Sequence, residues 1–372
     1  MNIACDARAL LGPRTGVGTW TVQIMAGLAA TPGWRVELLT PAPLEDLPAP
    51  LAEAGASAVA PPPVRLPGSL WLQWLVPGQL RGLGANLFVA SLAVAPRRCP
   101  VPSIVVVHDL TPRLLPDRHT LKNRFCFNAW VEDSLAGASA VVVPSCATRD
   151  ELVRAFPWAV DRVRVIGEGA DPRFSPEAAP GEAERIRARY AGGRPYLLHV
   201  GTLEPRKGIL DLVAAWERIA ESGPGAPDLV LAGGPGWGTG PILARIARSP
   251  LAGRIHLPGR VPDADLPALY RSAEAFVLAS EAEGFGLPVA EALRCGAPVV
   301  VTETPALLEV AGGAALTAPV HDPGALAAAI RRALEPAERD RLRAAALERA
   351  PALGWEAAVA AWRELVREVA GT

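Results

Sequence analysis

The feature that most constrains this chain is a regular alternation. Short Val/Leu/Ile runs, each bounded by Gly, Pro or Asp, alternate with longer stretches of helical character. A run that is apolar at every position has both faces covered, so it reads as a strand of a parallel sheet flanked by helices, and the repeating unit is βαβ. The runs form two series: residues 2–5, 35–40, 86–90, 103–108, 139–143 and 162–166, then 196–200, 228–232, 254–257, 275–279, 297–301 and 314–316. Residues 167–181 between them are rich in Gly and Pro and lack periodicity, as a connection between two doubly wound domains does. A length of 372 residues lets each domain bury its own core.

The proline-rich stretches 41–50 and 61–67 cannot be central strand or helix interior, so they read as surface connections. Near 355–370, Trp355, Val359, Trp362, Val366 and Val369 share one face of a final helix, which needs an apolar partner. Residues 69–81, if helical, bring Leu70, Trp71, Trp74 and Leu75 onto one face with Arg81 close by. That face suits either a core or a membrane interface.

With 37 basic and 38 acidic side chains, no broad field draws the chain to nucleic acid or an anionic membrane. Cys5, Cys99, Cys126, Cys146 and Cys295 are odd in number and contain no C-x-x-C pair, which argues against disulfides or a zinc site and for small core residues. Asp6 and Arg8 stand where a signal peptide needs an apolar stretch, and no run approaches the roughly 18 apolar residues of a spanning helix. The expectation is a soluble, cytoplasmic protein with no nucleic-acid partner, open to peripheral contact with the inner face of the cell membrane.

Four segments carry chemistry. In Ala279-Ser-Glu-Ala-Glu-Gly-Phe-Gly-Leu-Pro-Val-Ala-Glu-Ala-Leu293 a buried strand runs into a Gly-rich turn, and Pro288 suits the first turn of the next helix. Glu283 then sits in the turn and Glu291 in the first helical turn. Helix-start N–H groups favour an anion, and carboxylates beside them accept from hydroxyls, a pairing that suits a ligand with phosphates and sugar hydroxyls. The bland alternative is a Glu291 that complements the helix dipole and a solvated Glu283. Lys122 and Lys207 are the only lysines, so Arg206-Lys207 at a strand's carboxyl end asks for a reason; an anion supplies one, and a solvated basic loop is the alternative. Gly16 and Gly18 before a helix resemble half a dinucleotide fingerprint. His108 ends the apolar strand at 103–107, either on the ligand edge or as a satisfied structural histidine. Asp263-Ala-Asp265 has metal-ligand spacing but reads better as Asp263 capping a helix with Asp265 in its first turn.

Taken together, Glu283-x7-Glu291 around Gly-Phe-Gly-Leu-Pro, Gly-Thr-Leu-Glu-Pro-Arg-Lys-Gly, the opening Asp-Ala-Arg with Thr-Gly-Val-Gly, and the late Leu-Gly-Trp-Glu resemble the family-4 retaining glycosyltransferases over nearly the whole chain. The resemblance implies the α/β GT-B fold, two Rossmann-like doubly wound domains facing across a cleft. It implies an acceptor-side domain of residues 1–170 completed by the helix 355–372, and a nucleotide-sugar domain of residues 171–354. By the same resemblance Arg206 and Lys207 hold the diphosphate, Glu283 bonds donor hydroxyls, and Glu291 bonds the ribose. The amides of Gly284, Phe285, Gly286 and Leu287 take sugar or phosphate oxygens, Val261 lines the base, Gly16 admits the diphosphate, and His108 meets the donor sugar. The implied reaction is transfer of a hexose, with mannose favoured, from a nucleotide-diphosphate sugar to a glycan or polyprenyl-linked acceptor in polysaccharide biosynthesis. Stereochemistry is retained, and no cofactor and no metal is required. Readings from other classes are a nucleotide- or glycan-binding protein without turnover and a sugar-nucleotide epimerase.

Overall fold

The computed structural model describes every residue except 65, 116, 118–120, 222, 224 and 372, and gives the backbone alone for 121–127. The side chains of Lys122 and Cys126 lie outside the described residues. The chain divides into two compact units: Met1–Glu168 with the segment from Trp355 onward, and Gly169–Gly354.

The first unit is built on a parallel sheet of β1 (Asn2–Asp6), β2 (Arg35–Leu39), β3 (Ser57–Ala58), β4 (Leu87–Ala90), β5 (Ser103–Val106), β6 (Ala140–Val143) and β7 (Val163–Val165), in the order β3-β2-β1-β4-β5-β6-β7. Every residue of β4, β5 and β6 is buried, because helices cover both faces, and that is why these strands are apolar at every position but Ser103. The final helix, Trp355–Ala370, belongs to this unit and packs on the helix Gly16–Ala29. Gly27 makes the approach close: a Cβ there would come within 2.6 Å of the Val359 side chain. Beside it Trp362 meets the fully buried Trp20 edge to face at 5.4 Å.

The second unit has a parallel sheet of β8 (Tyr196–Val200), β9 (Asp228–Ala232), β10 (Ile255–Gly259), β11 (Ala275–Leu278), β12 (Val299–Thr302) and β13 (Ala315–Ala318), ordered β10-β9-β8-β11-β12-β13. The order reverses at β1/β4 in the first sheet and at β8/β11 in the second. Loops leaving the carboxyl ends of strands on either side of such a reversal diverge and leave room for a ligand.

Every run read as a strand overlaps one of these, and β3 is an addition of two exposed residues. Residues 69–81 are helical but not as one helix. They form two helices, Gly68–Trp74 and Val76–Gly82, because Pro77 lacks the N–H that would bond the carbonyl of Gln73. Both tryptophans lie in the first of these helices, yet their surroundings differ. Trp71 is fully buried with the Arg8 guanidinium over its ring, whereas Trp74 is 75% exposed, so they do not form one apolar face. The cysteines also divide: Cys5 and Cys295 are buried, Cys99 is partly buried, and Cys146 is exposed at the start of the helix Cys146–Ala155, not a core residue. No described helix is long and apolar enough to cross a membrane.

Candidate active site

The loops after β8 and β11, neighbouring strands at the reversal of the second sheet, bring Arg206, Lys207 and Glu283 together. Pro205–Lys207 form one 3₁₀ turn, closed by Gly208 at φ 62°. A Cβ at Gly208 would lie 1.9 Å from the carbonyl oxygen of Ala279, so glycine is needed both for the left-handed backbone and for the approach of the two loops. The Glu281 N–H donates to the Arg206 carbonyl and stitches those loops together.

The Lys207 ammonium donates to Glu283 Oε1 at 2.5 Å, and Arg206 Nη1 donates to Glu283 Oε2 at 3.1 Å. The Ser280 hydroxyl donates a third bond to this carboxylate, also at Oε1, while Arg206 also reaches Glu204 and the Ala282 carbonyl. Lys207 is buried, unusual for a lysine. Burial by itself would raise the Glu283 carboxyl, but the charges of Lys207 and Arg206 and the hydrogen bonds of Lys207 and Ser280 outweigh it and hold the group down at about 2. At neutral pH Glu283 is therefore an ionised acceptor paired with two cations.

Glu291 behaves in the opposite way. The helix Leu287–Arg294 starts one residue after Gly286, with Pro288 in its first turn, so Glu291 stands in the second turn and not the first. Burial pushes its carboxyl up to about 7, against the hydrogen bond that the Tyr270 hydroxyl donates to it at 2.7 Å. Gly286 has φ 106° and presses on Leu307, where a Cβ would meet Cδ2 at 2.6 Å. Gly284 is buried, Phe285 packs against the core, and Leu287 opens the helix whose N-terminal end faces the carboxyl edge of β11. Val261, two residues beyond β10, is buried in the core that also contains Tyr270 and Val289.

Asp263 is not the cap of the next helix. Asp265 holds that position before Leu266–Arg271, and its carboxylate makes no cap bond. It accepts instead from Tyr190, Arg189 and Arg185, while Asp263 pairs with Arg173. Those donors come from the helix Glu182–Tyr190, outside the reach of a local reading.

In the first unit Gly16 is exposed and forms the first residue of its helix rather than preceding it; Gly18 lies in the same turn. Gly18 packs where a Cβ would be 2.9 Å from the Ala9 carbonyl. Asp6, fully buried at the end of β1, makes a two-pronged ion pair with Arg8. His108, past the end of β5, is held by Glu168 Oε1 at 3.1 Å from Nδ1 and by the edge of Trp20, with ring centroids 5.1 Å apart. A carboxylate facing Nδ1 fixes a proton there; Nε2 is buried and has no partner among the described residues.

Ser280, Glu204, Tyr270 and Glu168 escaped the sequence reading. Ser280 stands three residues before Glu283, a spacing that could have been noticed. Tyr270 and Glu168 reach their partners across 21 and 60 residues of chain, which no local pattern shows.

Residues 14–174 match Glycosyltransferase Family 4, and residues 194–336 match Glycosyl transferases group 1. The chain is 32% identical over 256 residues to the O-antigen chain mannosyltransferase B of Escherichia coli, a match covering 68% of this chain and 67% of that protein. Among solved structures, the sucrose-phosphate synthase of Thermosynechococcus elongatus superposes with a TM-score of 0.78 at 22% identity, over 99% of each chain. Anabaena Alr3699/HepE, solved in complex with UDP and glucose, gives 0.76 at 20% identity, over 100% of this chain and 99% of that one. At such identities the two structures establish the fold alone.

Proposed function

The chain belongs to the family-4 glycosyltransferases and has their GT-B pair of Rossmann-like domains, and from that premise we propose that it is a retaining enzyme moving mannose from a nucleotide-diphosphate sugar to a glycan or lipid-linked glycan. The observation that carries this reading is the convergence of Arg206 and Lys207 on Glu283 at the carboxyl edge of β8 and β11. Two cations gathered at one edge by a carboxylate between them attract a diphosphate, and they stabilise the charge that grows on it as the sugar leaves. Glu283, ionised at any physiological pH, accepts from donor hydroxyls. Glu291 takes the ribose hydroxyls, Val261 the base, and the amides from Gly284 to Leu287 the sugar or phosphate oxygens. His108 offers its Nε2 lone pair to a sugar hydroxyl, and Gly16 gives a phosphate access to backbone.

In the step itself the bond from the anomeric carbon to the phosphate oxygen breaks as the acceptor oxygen bonds the same face. The acceptor proton passes to the departing phosphate, so the two cations serve where another enzyme would place a metal ion. Mannose is preferred because the O-antigen chain mannosyltransferase shares two thirds of its length with this chain. The test is proton NMR of the product formed from GDP-α-mannose and a glycan acceptor extract. An α-mannoside supports the reading, a β-mannoside overturns retention, and transfer from UDP-hexoses alone overturns the choice of mannose.

A further inference from the structure

β8 carries a side chain that the chemistry above leaves idle. His199 is fully buried in a strand whose other residues are Tyr, Leu, Leu and Val, and a polar ring there requires a reason. Its Nδ1 lies 3.3 Å from the carbonyl oxygen of Val277 on β11. A carbonyl can only accept, so Nδ1 carries the proton and Nε2 presents a lone pair. That Nε2 is buried and has no partner among the described residues.

What lies beside it is Lys207. At Gly201, where the chain leaves β8, an added Cβ would sit 3.4 Å from His199 Nε2 and 3.8 Å from Lys207 Cε, so the bare α-carbon of Gly201 leaves the imidazole and the lysine stem adjacent. Burial and then the charge of Lys207 hold the imidazole down at about 4, which keeps it neutral. An acceptor lone pair without a partner among the described residues thus lies near the stem of a cation that has three donors, one of them given to Glu283.

We infer that His199 is a positioning residue for Lys207, its Nε2 lone pair anchoring the ammonium when Glu283 turns to donor hydroxyls and a phosphate takes another of the lysine's hydrogens. The inference rests on the reading of Lys207 as a phosphate ligand. A lysine freed from Glu283 without that anchor would spread over its rotamers and lose its aim. An apolar ring at 199 would fill the space without restoring it.

The test compares the affinities of UDP, GDP, uridine and guanosine by calorimetry for the wild type, His199→Phe, His199→Leu, His199→Gln and Lys207→Ala. The expected result is a loss of about tenfold in diphosphate affinity for the Phe and Leu variants with nucleoside affinity unchanged, and near-complete rescue by Gln, whose amide reaches the place of Nε2. In a Lys207→Ala background His199→Phe should cost nothing more. Equal losses for nucleoside and nucleoside diphosphate, an undiminished loss without Lys207, or no loss where Lys207→Ala does weaken binding would each overturn the role of His199. A Lys207→Ala variant that binds diphosphates like the wild type removes the phosphate reading, and the His199 inference with it. Should both apolar variants fail to fold, nitrogen NMR of the wild-type imidazole decides. An unprotonated Nε2 whose resonance moves when diphosphate binds supports the inference, and an Nε2–H tautomer or an unmoved resonance overturns it.

Discussion

Glu283 and Glu291 lie in one turn-and-helix segment and titrate in opposite directions, one held at about 2 by two cations and the other pushed up to about 7 by burial. The folded state binds more protons at Glu291 than the unfolded chain does between pH 4.5 and 7, so that carboxyl subtracts stability as the pH rises through this window. Glu283 works the other way: its contribution is present above about 4.5 and is lost as the pH falls toward 2. Thermal midpoints of Glu291→Gln should therefore gain on the wild type from pH 4.5 to 7 and level off above, while Glu283→Gln should fall below it at pH 7. A gain that does not change with pH would contradict the burial account of Glu291. At Gly208 an alanine must adopt φ 62° and push aside the Ala279 carbonyl, for which we expect a cost of about 1–3 kcal/mol and a loss of nucleotide binding. An unchanged thermal midpoint would show that the two loops have slack. Arg206, Lys207, Glu283 and Glu291 were all legible as residue types at telling spacings. The opposite ionisation of the two glutamates was not, since it depends on Tyr270, Ser280 and the depth of burial.

At the scale of elements, the strands could be read because parallel strands buried on both faces leave an unbroken apolar run. β3, two exposed residues at a sheet edge, left no such trace. Residues 69–81 show how a periodic template misleads: Pro77 divides the stretch into two helices, and within the first of them Trp71 is buried while Trp74, three residues on, is exposed. Trp71→Ala should cost about 3–5 kcal/mol by emptying a core site beneath Arg8, and Trp74→Ala within about 0.5 kcal/mol of nothing. Denaturant unfolding of the two variants measures both, and equal losses would refute the division. Asp265 teaches the same lesson in polar form, because its partners Arg185, Arg189 and Tyr190 come from another helix and override the local capping pattern.

At the scale of the molecule, both units set their candidate ligand residues by one rule: the loops leave the carboxyl ends of parallel strands. Arg206, Lys207 and Glu283 flank the β8/β11 reversal, Gly16 follows β1, and His108 follows β5. The glycosyltransferase assignment predicts that chemistry depends on the cation pair and on no added metal. The measurement that bears on it most directly is release of nucleoside diphosphate from a panel of nucleotide sugars, with and without acceptor extract and in the presence of EDTA, for the wild type, Arg206→Ala and Lys207→Ala. The account predicts acceptor-dependent GDP release from GDP-mannose that survives the chelator and drops by about 100-fold or more in each folded variant, in keeping with the roughly 3 kcal/mol that one preorganised electrostatic donor contributes. Near-normal release by either variant, or release that appears only when magnesium or manganese is restored, would contradict it.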